Sequence, residues 1–111
     1  MSKTSLPETL SAALTALKQY LQEEYEERLS NVILFGSHAR REASTNSDID
    51  VLIVLRDPVD ASAEINRTGE FVSQLCLDHN LLISRFFLSK TRYETENSPL
   101  LRNIRNEGIL V

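Results

Sequence analysis

Two short apolar runs, Asn31-Val32-Ile33-Leu34-Phe35 and Val51-Leu52-Ile53-Val54-Leu55, flank a polar interval of unusual make-up. The first run stops at Gly36-Ser37, and ten residues later Asp48-Ile49-Asp50 opens the second. Both runs are rich in β-branched and aromatic side chains and too short for core helices, so they read as buried strands over 31–35 and 48–55. Gly36 ends the first strand, a short helix is expected over 37–43, and Ser44-Thr45-Asn46-Ser47 reads as a polar loop. Two buried strands joined this tightly need helices to cover them, which confines the chain to an α/β arrangement.

The remaining segments supply those helices. Residues 6–28 predict a helix: Ser5 and Glu8 have capping-box spacing, and Pro7 suits a first turn. Leu10, Leu14, Leu17 and Leu21 form one apolar stripe, with Lys18, Gln19, Gln22, Glu23 and Glu26 on the opposite face. A second helix is expected over 60–78, with Ile65, Phe71, Val72, Leu75 and Cys76 facing the core and Gly69 weakening or bending it. After a turn at His79-Asn80, residues 81–88 read as a third strand. One or two short helices follow over 89–106, broken near Ser98-Pro99, the second carrying Leu100, Leu101 and Ile104. Glu107-Gly108 reads as a helix C-cap before the apolar tail Ile109-Leu110-Val111. The expected fold class is α/β (α+β): a small mixed sheet of about three to four strands flanked by helices.

The length of 111 residues fits a single domain over 1–111. The net charge of −4 argues against direct nucleic-acid binding, which usually needs a basic face, but leaves room for a nucleotide whose charge a metal offsets. The single cysteine, Cys76, has no internal disulfide partner, which fits a reducing cytoplasm. Met-Ser-Lys-Thr-Ser lacks the apolar core of a signal peptide, and Val51–Leu55 is too short to span a membrane.

On a strand, residues i and i+2 point to one side, roughly 6.5–7 Å apart, so Asp48 and Asp50 are expected to project together while Ile49 enters the core. Two ionised carboxylates that close repel each other, and a divalent cation relieves the conflict. Hard oxygen ligands suit Mg²⁺ or Mn²⁺, which also take phosphate oxygens. Gly36 lets backbone approach a phosphate closely, Ser37 adds a hydroxyl and a backbone N–H, and Arg40 lies one turn further on. Four such residues at fixed offsets, each at roughly 5–7% usage, should match somewhere in a chain this size about once in a thousand. Chance is therefore a poor explanation.

This pattern resembles the signature of the nucleotidyltransferases of the DNA polymerase β superfamily, and most closely the minimal nucleotidyltransferase antitoxins paired with HEPN-domain toxins. The signature Gly-Ser, ten residues, Asp-x-Asp is matched by Gly36, Ser37, Asp48 and Asp50. The extended form Gly-Ser-x-Ala-Arg is matched by Gly36, Ser37, Ala39 and Arg40, with Arg41 where Gly is common, and Ser47-Asp48-Ile49-Asp50 matches Ser-Asp-x-Asp. The tail from Ser98 to Val111 also looks like the ends of small proteins of this type.

The resemblance implies Asp48 and Asp50 as catalytic metal ligands for Mg²⁺ or Mn²⁺. It implies Gly36, Ser37, Arg40 and Ser47 as the nucleotide-binding residues, with ATP as substrate. It further implies a cytoplasmic antitoxin that transfers AMP to a tyrosine of a HEPN ribonuclease, in a homo- or hetero-oligomer. The acidic balance suits a partner that must itself bind RNA through basic groups.

One position departs from the pattern. Active members usually place a third carboxylate on a later strand, and the strand 81–88 has no acid; Ser84 stands about where it would be. Water or a partner replaces that ligand, or the protein neutralises its toxin by binding alone. A small-molecule transferase completed by a second subunit is a further alternative. Elsewhere, His38 reads as an exposed helix histidine or a phosphate contact, and His79 as a turn residue. Cys76 reads as a small buried hydrophobe. Arg85 reads as a solvated edge residue or a contact on the site face. The run Glu23-Glu24-Tyr25-Glu26-Glu27 reads as a solvated helix end or an acidic docking patch, and Arg102 and Arg105 as surface residues.

Overall fold

A computed structural model describes residues 7–40 and 48–111. The elements run α1 (Glu8–Tyr25), a 3₁₀ turn (Glu26–Arg28), β1 (Leu29–Phe35), β2 (Ile49–Leu55), α2 (Ala61–His79), β3 (Ile83–Ser89), α3 (Lys90–Thr95), α4 (Pro99–Glu107) and β4 (Ile109–Leu110). The four strands make one mixed sheet in the order β3-β2-β1-β4. β1 is antiparallel to both β2 and β4, while β2 and β3 are parallel, joined by α2 as the crossover.

Strand alternation divides the core between the two faces of the sheet. On one face Val32, Leu34, Ile49, Val51, Ile53, Leu55, Ile83 and Phe87 pack beneath the Leu10/Leu14/Leu17/Leu21 stripe of α1 and Val72 and Leu75 of α2. On the other, Ile33, Phe35, Leu52 and Val54 meet Leu101 and Ile104 of α4. Leu17 and Leu21 are fully buried, each worth about 1.5–3 kcal/mol of apolar transfer. On the α4 face of the sheet Phe86 is left exposed, so α4 covers only part of it.

Local chemistry explains most boundaries. Asp60 caps α2 by accepting from the Ala63 N–H, and Asn80 ends it in the left-handed region at φ 55°. Ser89 caps α3, and Ser98, followed by Pro99, caps α4 through the Leu101 N–H, which makes the break expected near Ser98-Pro99. Gly108 closes α4 with an ordinary φ of −67°; its need is room, since a Cβ there would meet the Ile104 carbonyl oxygen at 2.5 Å and Ile33 Cγ2 at 2.6 Å.

Several expectations need correction. α1 is preceded by Pro7 with no side-chain cap, and Ser5 of the expected capping box lies outside the described residues. α2 runs through Gly69 unbroken. Its inward face carries two polar residues, Glu64 and Thr68, while Ile65, Phe71 and Cys76 are only partly buried. Tyr25, expected within a solvated acidic run, is buried, and its hydroxyl donates to Glu64 Oε1 at 2.6 Å. The apolar tail is a fourth strand: Ile109 and Leu110 pair with β1, and the Val111 N–H donates to the Val32 carbonyl. Lys18 Nζ donates to the Val111 carbonyl, tying that end to α1. Arg105 donates to the Tyr93 and Glu96 carbonyls, so it holds α3 against α4 rather than simply facing water. Among the described residues, no helix is long and apolar enough to cross a membrane.

Candidate active site

The end of β1 and the beginnings of β2 and β3 meet at one edge of the sheet. Asp50 is the register partner of Phe35 on β1 and of Ser84 on β3. Asp48 stands exposed just before β2, and Ile49 between the two acids is buried in the core. The two carboxylates therefore stand clear of the core, as the i, i+2 spacing predicts.

Gly36 follows Phe35 at φ 80°, in the left-handed region that favours glycine. A Cβ here would lie 2.5 Å from Asp50 Oδ2, so the absent side chain is what admits the carboxylate against the turn. From Gly36 the chain winds into one helical turn that includes Ser37, closed by the Arg40 N–H donating to the Gly36 carbonyl at 3.1 Å. The Arg40 guanidinium lies 3.6 Å from Glu107 at the end of α4. The short helix expected over 37–43 can be followed only to Arg40; residues 41–47, which include Ser47 and the loop expected over 44–47, lie outside the described residues.

Electrostatics concentrate on Asp50. Partial burial pushes its pKa above the ordinary carboxylate value, and the nearby charge of Asp48 pushes it further. His38 acts in the opposite direction, so this histidine shares the electrostatic field of the site. Ser84 Oγ donates to Asp48 Oδ2 at 3.4 Å, which places residue 84 beside both acids. Among the described residues, no group of three or more His, Cys, Asp or Glu side chains could hold a metal ion. The donor set nevertheless suits a divalent cation held by Asp48 and Asp50. Two mutually repelling carboxylates gain from a shared counter-ion, and Asp50 reaches the turn because Gly36 carries no side chain.

Arg85 belongs elsewhere, contrary to both readings of it. Strand alternation turns it away from Ser84 toward the helix layer, where Nη2 donates to the Ile65 carbonyl at 3.2 Å. Its Nε is buried without a partner, and desolvation lowers its pKa. The polar link between α1 and α2 also escaped the sequence reading: Tyr25, Glu64, Arg67 and Glu24 form a chain of contacts in which Arg67 Nε meets Glu64 at 3.0 Å and Nη1 meets Glu24 at 3.4 Å. Tyr25 was hidden by its acidic neighbours, and Glu64 by its charge.

Residues 14–111 match the nucleotidyltransferase domain family. The chain belongs to that family. Two proteins of Methanocaldococcus jannaschii, each named a putative protein adenylyltransferase, are similar over most of their length. One is 29% identical over 97 residues, covering 84% of this chain and 91% of the relative. The other is 35% identical over 86 residues, covering 78% and 82%. A solved structure of a tri-AMPylated Shewanella oneidensis HEPN toxin in complex with MNT antitoxin matches with a TM-score of 0.54 at 18% identity, over 92% of this chain and 70% of that one. At that identity the likeness shows the fold. The nucleotidyltransferase fold read from the sequence, and its assignment to nucleotidyl-transfer enzymes, stand on these matches.

Proposed function

We propose that the 111 residues act as one metal-dependent nucleotidyltransferase unit: a cytoplasmic antitoxin that transfers AMP from ATP to a tyrosine of a cognate HEPN ribonuclease toxin. The observation that carries this reading is the Asp48/Asp50 pair set against the bare backbone of Gly36, where a Cβ would meet Asp50 Oδ2 at 2.5 Å. The AMPylated HEPN toxin in the structural neighbour and the names of the two archaeal relatives support the choice of acceptor.

Asp48 and Asp50 would hold Mg²⁺ or Mn²⁺, which when bound neutralises the charge gathering on the phosphates. The Ser37 hydroxyl and N–H, Arg40 and Ser47 bind the triphosphate, and His38 faces the same charge. The phenolic oxygen of the acceptor attacks the α-phosphorus, the bond to pyrophosphate breaks, and the phenolic proton leaves to water. The products are the tyrosyl-AMP ester and pyrophosphate.

A second reading has its own observation. Ser84, a neutral hydroxyl, is the register partner of Asp50 and contacts Asp48. A site with two acids instead of three favours an antitoxin that neutralises by occlusion, without chemistry. Co-expression with the HEPN toxin separates the two. If transfer is the mechanism, Asp48→Asn/Asp50→Asn restores toxicity while the complex still forms. If occlusion is the mechanism, the same variant protects as well as the wild type.

A further inference from the structure

An apolar groove of about 180 Å³ opens on the site face of the sheet, beside the acids. Its floor is Phe35, Leu52 and Phe86, and its wall is Leu100, Leu101 and Ile104 of α4. Phe35 is the direct register partner of Asp50; Leu52 and Phe86 lie two residues beyond Asp50 and Ser84 on the same face. The groove therefore adjoins the row of the sheet that carries Asp50 and Ser84, though neither residue lines it. Phe86 and Leu100 are 45% and 54% exposed, so two large apolar side chains face solvent at its rim. The rings of Phe35 and Phe86 meet at 5.5 Å and 60°, a tilted arrangement that offers both a ring face and a ring edge.

We infer that this groove binds the aromatic ring of the acceptor tyrosine and so selects a phenolic hydroxyl over an aliphatic one. The inference rests on the transferase reading above and extends it to the acceptor. Three observations converge on it. The first is size: a dry apolar cavity of about 150 Å³ accepts a benzene ring, and this groove is slightly larger. The second is charge: the cation bordering the groove, Arg92, is paired with Glu96 at 2.8 Å, so the lining presents no free positive charge to a polynucleotide.

The third is direction. In the transferase reading the triphosphate lies at the Gly36-Ser37 turn, beyond the end of β1, whereas Leu52 and Phe86 of the groove lie two residues into the sheet from Asp50 and Ser84. One two-residue step of strand, roughly 6.5–7 Å, separates Ser84 from Phe86. A tyrosine side chain is about as long from Cβ to its oxygen as that step, so a ring against Phe86 and Leu52 can direct its oxygen toward the acids. A serine or threonine hydroxyl, one bond from Cβ, does not reach from the same seat.

Methyl NMR of the full chain, titrated separately with N-acetyl-tyrosinamide, N-acetyl-serinamide and adenosine, tests this. N-acetyl-tyrosinamide should give saturable shifts at the methyls of Leu52, Leu101 and Ile104, and N-acetyl-serinamide none. Phe86→Ser and, separately, Leu100→Asn should each weaken tyrosinamide binding by about fivefold. ATP affinity, measured alongside, should stay at the wild-type value in both. Both positions are exposed, so the variants should fold. The inference is overturned if adenosine alone shifts the groove methyls, or if both variants bind tyrosinamide as the wild type does. A wild-type chain that binds no ATP would instead remove the transferase reading and leave the ring-binding result intact.

Discussion

Ser84 Oγ stands 3.4 Å from Asp48 Oδ2, and its backbone is in register with Asp50, so residue 84 is the third corner of the acidic site. Ser84→Asp should convert two carboxylates into three. Without metal the added charge should lower the melting temperature, because three carboxylates repel more than two. With Mn²⁺ the order should reverse: affinity should rise about tenfold and the variant should gain more thermal stability than the wild type. Melting curves with and without Mn²⁺ read both effects, and an unchanged response to the ion would show that residue 84 does not face the site.

Gly36 has two reasons to resist substitution. At φ 80° an L-residue costs about 1–2 kcal/mol, and a Cβ would press on Asp50 Oδ2 at 2.5 Å. Gly36→Ala should lower the melting temperature and displace Asp50, weakening ATP binding by more than about tenfold, equivalent to 1.4 kcal/mol. Isothermal titration with ATP and Mg²⁺ checks it, and wild-type affinity would disconnect the turn from nucleotide binding.

The buried Tyr25–Glu64 hydrogen bond predicts a loss of stability at alkaline pH. Burial and Glu64 raise the Tyr25 pKa well above its ordinary value of 10.0. The folded state therefore keeps its proton after the unfolded chain has lost it, so this contribution is whole below pH 10 and declines as pH climbs toward the raised value. Tyr25→Phe should cost about 1–3 kcal/mol at neutral pH by removing a donor to a buried carboxylate. It should also flatten the alkaline decline in part, since Tyr20 is raised too. Urea unfolding at several pH values measures both.

Beside the C-terminal end of β1, Gly108 lies against the Ile104 carbonyl and Ile33. Gly108→Ala should destabilise the fold by about 1–3 kcal/mol through overpacking and loosen β4 from β1. Hydrogen exchange at the Val111 amide, which donates to the Val32 carbonyl at 2.9 Å, should speed up with it. Unchanged protection at that amide would show that the strand tolerates the added methyl.

The parts legible in the sequence are those that repeat or punctuate. The Leu10/Leu14/Leu17/Leu21 stripe, the two apolar strands and the Ser98-Pro99 break each carry a local period or stop signal, and each has its element in the fold. The acid pair was legible because Asp is uncommon at the head of a buried strand. What stayed hidden depends on neighbours distant in sequence. Tyr25 and Glu64 are 39 positions apart, and neither looks like core without the other. β4 is two residues long and exists only because β1 offers an edge. Arg85 lies within an apolar strand, and only the pairing register shows that it turns toward α2 while Ser84 turns toward Asp48. The groove is built from β1, β2, β3 and α4 together, which no local pattern encodes.

The most direct measurement incubates the purified chain with α-labelled ATP, Mg²⁺ and the HEPN protein proposed as its partner, then scores label on that protein. The expected result is label on a tyrosine of the HEPN protein that vanishes with Asp48→Asn/Asp50→Asn and when Mg²⁺ is chelated. A stable complex with no label, under conditions where the chain binds ATP, would contradict transfer and leave a protein that acts by occupying its partner.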